Sequence, residues 1–284
     1  MKSPLRYPGG KSRAVGRIMN LLPDFSEYRE PFIGGGSVFF GLAAAFPQKK
    51  YWINDLYPEL YNCWLQTRDD IGGVTSQIRA WRDNFTEGKQ LHGFLSENMS
   101  AFNSVEKAAA FFIFNRITFS GTTESGGYSE QAFRGRFTES SVERLAAASA
   151  ALQGVNITNL DYADVTLAPG NDTVIFLDPP YFSAEKSRLY GKNGSMHAGF
   201  DHQRFADTMR HCPHKWLVTY DDSPYIRDIF SFARIFAWDL TYGMRNVAKQ
   251  GDQTGRELFI SNYLESLEPA QYQPTAQPVQ SALF

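Results

Sequence analysis

Residues 171–177, NDTVIFL, form an almost unbroken apolar strand that passes directly into Asp178-Pro179-Pro180-Tyr181. A strand without polar alternation is buried on both faces, which calls for an open α/β sheet with helices on either side. An acid at the C-terminal end of such a strand sits at the mouth of the sheet, where these folds bind ligands. Pro179 and Pro180 donate no backbone hydrogen bond and hold the residues before them extended. The turn therefore presents acceptors, the Asp178 carboxylate and the carbonyls of Asp178 and Pro179, with the flat ring of Tyr181 beside them. Two acceptors and a stacking ring suit an exocyclic amine on a planar base. The plainer alternative is a rigid turn with a surface acid.

The start of the chain carries a second pattern. Residues 28–33 read as a short strand running into Gly34-Gly35-Gly36, and SVFFGLAAAF (37–46) as a buried helix. Residues 50–55 read as a strand ending in Asp55. Strand, glycine turn, helix and acid-tipped strand make the first half of a Rossmann-like unit. Glycines at the turn let backbone N–H groups approach a ligand, and an acid about 20 residues on can accept both hydroxyls of a ribose. There is neither GxGxxG nor GK[ST], which disfavours a classical dinucleotide site or P-loop.

From Pro58 the pattern changes. Helices are predicted over 60–69, 74–85, 89–99, 104–119 and 138–152, with no convincing strand among them. Ser104 is taken as a helix start, without the acidic partner of a capping box. The Gly/Ser/Thr-rich stretch 120–137 is predicted to be a functional loop or hairpin. Strands return at 155–162 and 215–220, with helices over 200–212 and 224–230 and closing strands at 232–240 and 257–263. The expected organisation is a discontinuous α/β core (1–57 and 156–266), a helical insertion (58–155) and a Pro/Gln-rich flexible tail (267–284).

Composition narrows the function classes. The 284 residues are 43% hydrophobic and 20% charged with a net charge of −2, the balance of an ordinary globular chain. Near-neutrality argues mildly against a protein that coats nucleic acid and leaves room for a local basic face. Residues 1–20 supply one: Lys2, Arg6, Lys11, Arg13 and Arg17, with no acid. The two cysteines, Cys63 and Cys212, have no metal-ligand spacing and suit ordinary packing in a reducing compartment. No structural metal is expected. With no signal-like h-region and no long apolar run, a cytoplasmic protein without a membrane span is expected.

The set RYPGGKSR (6–13), EPFIGGGSVF (30–39), NDLYPELY (54–61), FNRITFSG (114–121), LDY (160–162) and LDPPYF (177–182) resembles the Dam-like, D12-class family of adenine-N6 DNA methyltransferases, in the motif order of its alpha group. The matches span residues 5–182. The resemblance implies a Rossmann-like core dependent on S-adenosyl-L-methionine, with a mostly helical target-recognition insertion. It implies that Tyr7, Pro8, Gly9, Gly10 and Lys11 form a loop over the cofactor that also faces DNA. Glu30, Pro31, Phe32, Gly34, Gly36 and Ser37 would wall the methionine part. Asp55 would bind the ribose, Leu56 would lie against the adenine, and Asp161 with Tyr162 would flank it. Tyr162 replaces the family's Phe, which keeps the ring and adds a hydroxyl needing a partner.

Asp178, Pro179, Pro180 and Tyr181 match the catalytic segment. A target adenine would leave the duplex stack, Asp178 and the Pro179 carbonyl would hold N6, and Tyr181 would stack on the ring. Candidate DNA contacts are Lys11, Arg13, Asn115, Arg116, Tyr128, Arg134, Arg136, Lys186 and Arg188. The two arginines of the 120–137 stretch are the strongest guanine or phosphate candidates. This stretch departs from the RYN-type hairpin of family members that read GATC, so the target site is left open. Phe200 and His202 resemble the family's F-x-H pattern, and His202 is expected to cap or pack.

The implied partner is double-stranded DNA, with a cognate restriction endonuclease for members of restriction–modification systems, and a monomer or weak dimer is expected. Two alternatives stand beside this reading. One is methyl transfer to cytosine N4 or to adenine in RNA, and the other is a DNA-binding homologue without catalysis.

Overall fold

The computed structural model describes residues 1–7, 10–119, 127–183, 199–241 and 254–267. Its centre is a seven-stranded sheet in the order β3-β2-β1-β4-β5-β7-β6, built from β1 (Glu27–Glu30), β2 (Lys50–Asn54), β3 (Asn156–Thr158), β4 (Thr173–Leu177), β5 (Lys215–Asp221), β6 (Arg234–Thr241) and β7 (Thr254–Ser261). β3, β2, β1, β4 and β5 are parallel, and β7 runs antiparallel to both β5 and β6. The first connections from β1 run to β2 and β3 on one side, and β4 then returns to the other side of β1. The topological switch point, where open sheets leave a crevice, therefore lies between the ends of β1 and β4.

The apolar run of β4 is buried at all five positions. Val174 and Phe176 join a core on one face of the sheet, Ile175 and Leu177 a core on the other. That division follows the two-residue period of a strand. The first face carries α1 (Val15–Leu21), α2 (Ser37–Ala45) and the helices between β2 and β3. The second carries α10 (His202–His211) and α11 (Pro224–Ile229).

The helices between β2 and β3 are α3 (Pro58–Asp69), α4 (Ile71–Asn84), α5 (Gly88–Asn98), α6 (Ser104–Ile117), α7 (Glu130–Arg136) and α8 (Glu139–Leu152). α6 is buried without a break from Ala108 to Ile117, the condition of a helix that is apolar all round. It starts at Ser104, as predicted, and ends at Ile117, two residues before the predicted end. The capping residue is Asn103 rather than Ser104, and it closes a capping box with Glu106, whose carboxylate accepts from the Asn103 N–H.

Two further elements differ from the sequence reading. The predicted strand 155–162 stops at Thr158 and gives way to α9 (Tyr162–Leu167). The buried side chain of Asn54 takes both the N–H and the carbonyl of Leu160, and Asp161 caps α9 by accepting from the Ala163 N–H. Side-chain bonds of this kind compete directly with a strand ladder. The second difference is α7. Its seven residues form a helix inside the predicted loop, started by Ser129, whose hydroxyl accepts from the Ala132 N–H.

Candidate active site and nucleic-acid face

The ends of β1, β2 and β4 open into one cavity of about 600 Å³, the size of a small-molecule site. Its lining draws together Tyr7, Gly10, Lys11, Glu30, Pro31, Phe32, Gly34, Gly36, Ser37, Asp55, Leu56, Asp161, Tyr162 and Asp178 to Tyr181, all singled out from the sequence. Pro8, Gly9, Lys186 and Arg188 lie outside the described residues.

The glycine turn shapes one wall. Gly34 and Gly36 have positive φ angles of 46° and 69°, a conformation that side chains rarely adopt. The Tyr7 ring packs so close that a Cβ on Gly34 would lie 3.0 Å from it. Asp55 holds this turn from behind: its two oxygens accept from the Gly34 and Tyr57 N–H groups, each at 3.0 Å. A carboxylate read as a ligand acceptor is thus also a strut of the turn.

At the polar end, Lys11 lies 2.8 Å from Asp178 Oδ1 and is itself buried. Its ammonium sits 4.8 Å from the centre of the Tyr181 ring. Thr219 Oγ1 donates to the same Asp178 oxygen at 2.7 Å. Glu30 is buried, accepts from the Tyr28 hydroxyl at 2.7 Å, and is pushed up to about 8 by desolvation, which outweighs that bond and is reinforced by the nearby Asp178 charge. Desolvation likewise raises Asp55 to about 6, against the two N–H bonds that favour its charge. The cavity is an apolar pocket with carboxylates held where a cation would relieve them.

The other end is aromatic. Phe32 packs against Tyr162 and Phe200 at ring separations of 5.5 and 5.8 Å. Asp161 receives both guanidinium nitrogens of Arg204, at 2.9 and 3.0 Å, and Arg204 lies 5.1 Å from the centre of the Tyr162 ring. Arg204 and Asn54 line the cavity and were missed from the sequence. Arg204 is 43 residues from its partner on an ordinary amphipathic helix, so no local signal marks it. The acid-tipped strand drew attention to Asp55 and hid Asn54, whose amide also donates to the Pro31 carbonyl.

Away from the cavity, two of the candidate DNA contacts are buried. Asn115 is fully buried, and its amide pairs with the Arg6 backbone at both ends, accepting from the N–H at 2.9 Å and donating to the carbonyl at 2.5 Å. Both ends of the amide are thus engaged by the protein's own backbone. Arg116 is also buried, 5.1 Å from the centre of the Phe112 ring, rather than on the surface. Burial, and then the positive charges of Arg144, Arg6 and Arg136, pull it down to about 10.

Arg13, Arg134 and Arg136 are exposed. Arg134 pairs with Glu130 one helical turn away at 2.6 Å. Tyr128 is half-buried, bridges the backbone of Thr118, and donates its hydroxyl to Glu130. His202 is buried with Nδ1 2.5 Å from the Tyr220 hydroxyl, in keeping with a packing role.

Comparison with known proteins bears on this arrangement directly. Residues 7–244 match the D12 class N6 adenine-specific DNA methyltransferases, a span that takes in every motif around the cavity. The chain belongs to that family. It is accordingly a methyltransferase acting on DNA, in a family whose chemistry implies S-adenosyl-L-methionine.

Similar proteins include the DNA N-6-adenine-methyltransferase of Escherichia phage P1, 25% identical over 262 residues, which cover 89% of this chain and 34% of the phage protein. The chain thus spans about a third of that relative. The Type II methyltransferase M.MjaIII of Methanocaldococcus jannaschii is 25% identical over 209 residues, covering 67% of this chain and 72% of its own. M1.LlaDCHI, a Type II methyltransferase of Lactococcus lactis, is 24% identical over 278 residues, covering 91% and 94%. No helix among the described residues is long and apolar enough to cross a membrane.

Proposed function

We propose that this D12-class enzyme transfers a methyl group from S-adenosyl-L-methionine to N6 of an adenine flipped out of duplex DNA at a specific site. The observation that carries the reading is that Asp178-Pro179-Pro180-Tyr181 faces the same cavity as Glu30, Asp55, Phe32 and Asp161. The donor set fits the cofactor: carboxylates in an apolar pocket favour a cationic ligand, and the Phe32–Tyr162 end accepts a flat ring. When bound, the cofactor supplies an electrophilic methyl on a positively charged sulfur. Glu30 would meet its ammonium end, Asp55 its ribose, and Asp161 with Tyr162 its adenine.

The remaining chemistry belongs to the chain. Asp178 Oδ1 already carries Lys11 and Thr219, so Oδ2 and the Pro179 carbonyl are the acceptors for the two N–H bonds of the target amine. Tyr181 supplies the stacking face. Holding the amine this way points its lone pair at the methyl group, and the carboxylate stabilises positive charge as it develops on N6. Flipping costs a few kcal/mol, which stacking on Tyr181 partly offsets. The α3–α8 segment, with its exposed Arg136, would read the flanking duplex, with the exposed Arg13 a candidate phosphate contact.

The test is methyl transfer from labelled S-adenosyl-L-methionine to duplex DNA, with long-read sequencing of DNA from expressing cells. N6-methyladenine within one recurring sequence is expected. Methylation at cytosine N4, or only of RNA, would replace this reading by another acceptor. Tight cofactor binding with no transfer to any DNA would replace it by an inactive DNA-binding homologue.

A further inference from the structure

The end of β5 grips the Asp-Pro-Pro-Tyr segment at three successive points. The β4–β5 register pairs Leu177 with Val218, which sets Asp178 beside Thr219. Thr219, fully buried, donates to Asp178 Oδ1 at 2.7 Å; its next acceptor, the Leu177 carbonyl, lies at 3.5 Å. Tyr220, also fully buried, stacks against Tyr181 with ring centres 5.9 Å apart and planes 29° apart, and its hydroxyl is held by His202. Asp221 accepts from the N–H groups of Phe182 and Ser183, at 2.9 and 3.0 Å, one on each oxygen. Carboxylate, ring and following backbone are thus each fixed by a different residue of one rigid strand.

We propose that Thr219, Tyr220 and Asp221 are positioning residues for methyl transfer, with Thr219 fixing the Asp178 carboxylate so that Oδ2 faces the amine. The physical case is one of geometry. A carboxylate on a single rotatable stem turns freely unless one oxygen is tied. A tie to a buried strand hydroxyl costs no ordering when the base arrives, whereas Lys11 comes from a loop outside the sheet. Ring and acceptor must also keep their relation to each other, because one holds the base plane and the other its amine. Small displacements of such groups are expensive in rate. The proposal rests on the reading of Asp178 as the amine's acceptor.

Thr219→Val keeps the shape and removes the hydroxyl, while Thr219→Ser keeps the hydroxyl. In single-turnover assays on the full chain with duplex DNA, Thr219→Val should lose roughly ten- to hundredfold in the transfer rate, the worth of one hydrogen bond to a charged group. Cofactor affinity and KM for DNA should stay within about twofold, and Thr219→Ser should recover most of the rate. A Val variant within about threefold of wild type, a Ser variant no better than Val, or a loss confined to KM would each overturn the proposal.

Asp221→Asn, at the half-buried end of the strand, retains one acceptor for two N–H groups and should lower the transfer rate without changing cofactor affinity. Should Thr219→Val fail to fold, this variant decides, and an unchanged rate overturns the proposal. Asp178→Asn separates the two levels. If it stays active, the acceptor reading itself has failed. If it is inactive while Thr219→Val and Asp221→Asn match wild type, the positioning proposal alone has failed.

Discussion

Asn115 and Arg6, 109 residues apart, pair as if they were neighbours on adjacent strands, the Asn115 amide meeting both backbone groups of Arg6. The contact joins the most buried helix of the α3–α8 segment to the stretch that carries Tyr7 and Lys11 into the cavity. Replacing Asn115 with Leu would leave a part-buried N–H and a part-buried carbonyl of Arg6 without this partner, at up to about 1–3 kcal/mol each. The expected outcome is a lower melting temperature together with weaker cofactor binding in equilibrium dialysis. DNA sequence preference should be unchanged, which separates this role from base reading.

Asp178, read as the acceptor of the target amine, gives a sharper contrast. Asp178→Asn keeps an acceptor for Thr219 and removes the charge. A lost charge-stabilising partner costs roughly 10²–10³ in rate. Labelled-methyl transfer should fall by that factor while cofactor binding, measured in parallel, changes little.

Reading Asp178 required only its strand: the apolar run, the prolines and the tyrosine are contiguous, and the same holds for the glycine turn and Asp55. β4 and β5 were legible because burial on both faces writes itself into consecutive apolar residues, and β1 and β2 because a glycine turn and a terminal acid mark their ends. Contacts that join distant parts of the chain were not. Arg204 on Asp161, Thr219 on Asp178 and Asn115 on Arg6 each pair residues at least 41 apart. The burial of Asn115 and Arg116 was not legible either, since polar side chains are usually exposed and the residues that enclose these two lie elsewhere in the chain. The end of β3 was misjudged because the competing bonds come from Asn54, about a hundred residues earlier.

Acid–base behaviour follows from Glu30 and Asp55. Both are carboxyls raised by burial, Glu30 from 4.5 to about 8 and Asp55 from 3.8 to about 6. A raised folded-state value means that the native protein holds protons the unfolded chain has released. Their stabilising contribution is therefore full below about pH 4 and is lost as pH rises to about 8. For Glu30 the swing is on the order of 5 kcal/mol. Thermal unfolding of the cofactor-free protein should show stability falling across that window, and Glu30→Gln should flatten the fall. A Glu30→Gln profile as steep as wild type would contradict the assignment.

On the DNA side, Arg134 and Arg136 should part company. The Arg134 guanidinium is paired with Glu130, whereas Arg136 is exposed among other positive charges. Arg136→Ala should weaken binding across sequences and lower the salt slope by about one if it meets phosphate. If it forks onto a guanine, discrimination should relax at one position by roughly 1–3 kcal/mol. Arg134→Ala should do less of either. Methylation rates on single-base site variants at two salt concentrations distinguish these outcomes.

The α3–α8 helices do not hang from the sheet as a separate body. Leu60, Trp64, Phe111 and Leu145 share one continuous core with Tyr28, Ile53 and Phe176 of the strands. Exchange of target preference between relatives, in evolution or by design, is therefore constrained in where it can splice. Cutting at the chain boundaries of the insertion, near residues 58 and 155, would shear that common core and confront two sets of side chains that never adapted to each other. Changes confined to the exposed positions of α7, Glu130, Gln131, Arg134 and Arg136, leave the shared core whole, so novelty in sequence reading is cheapest there.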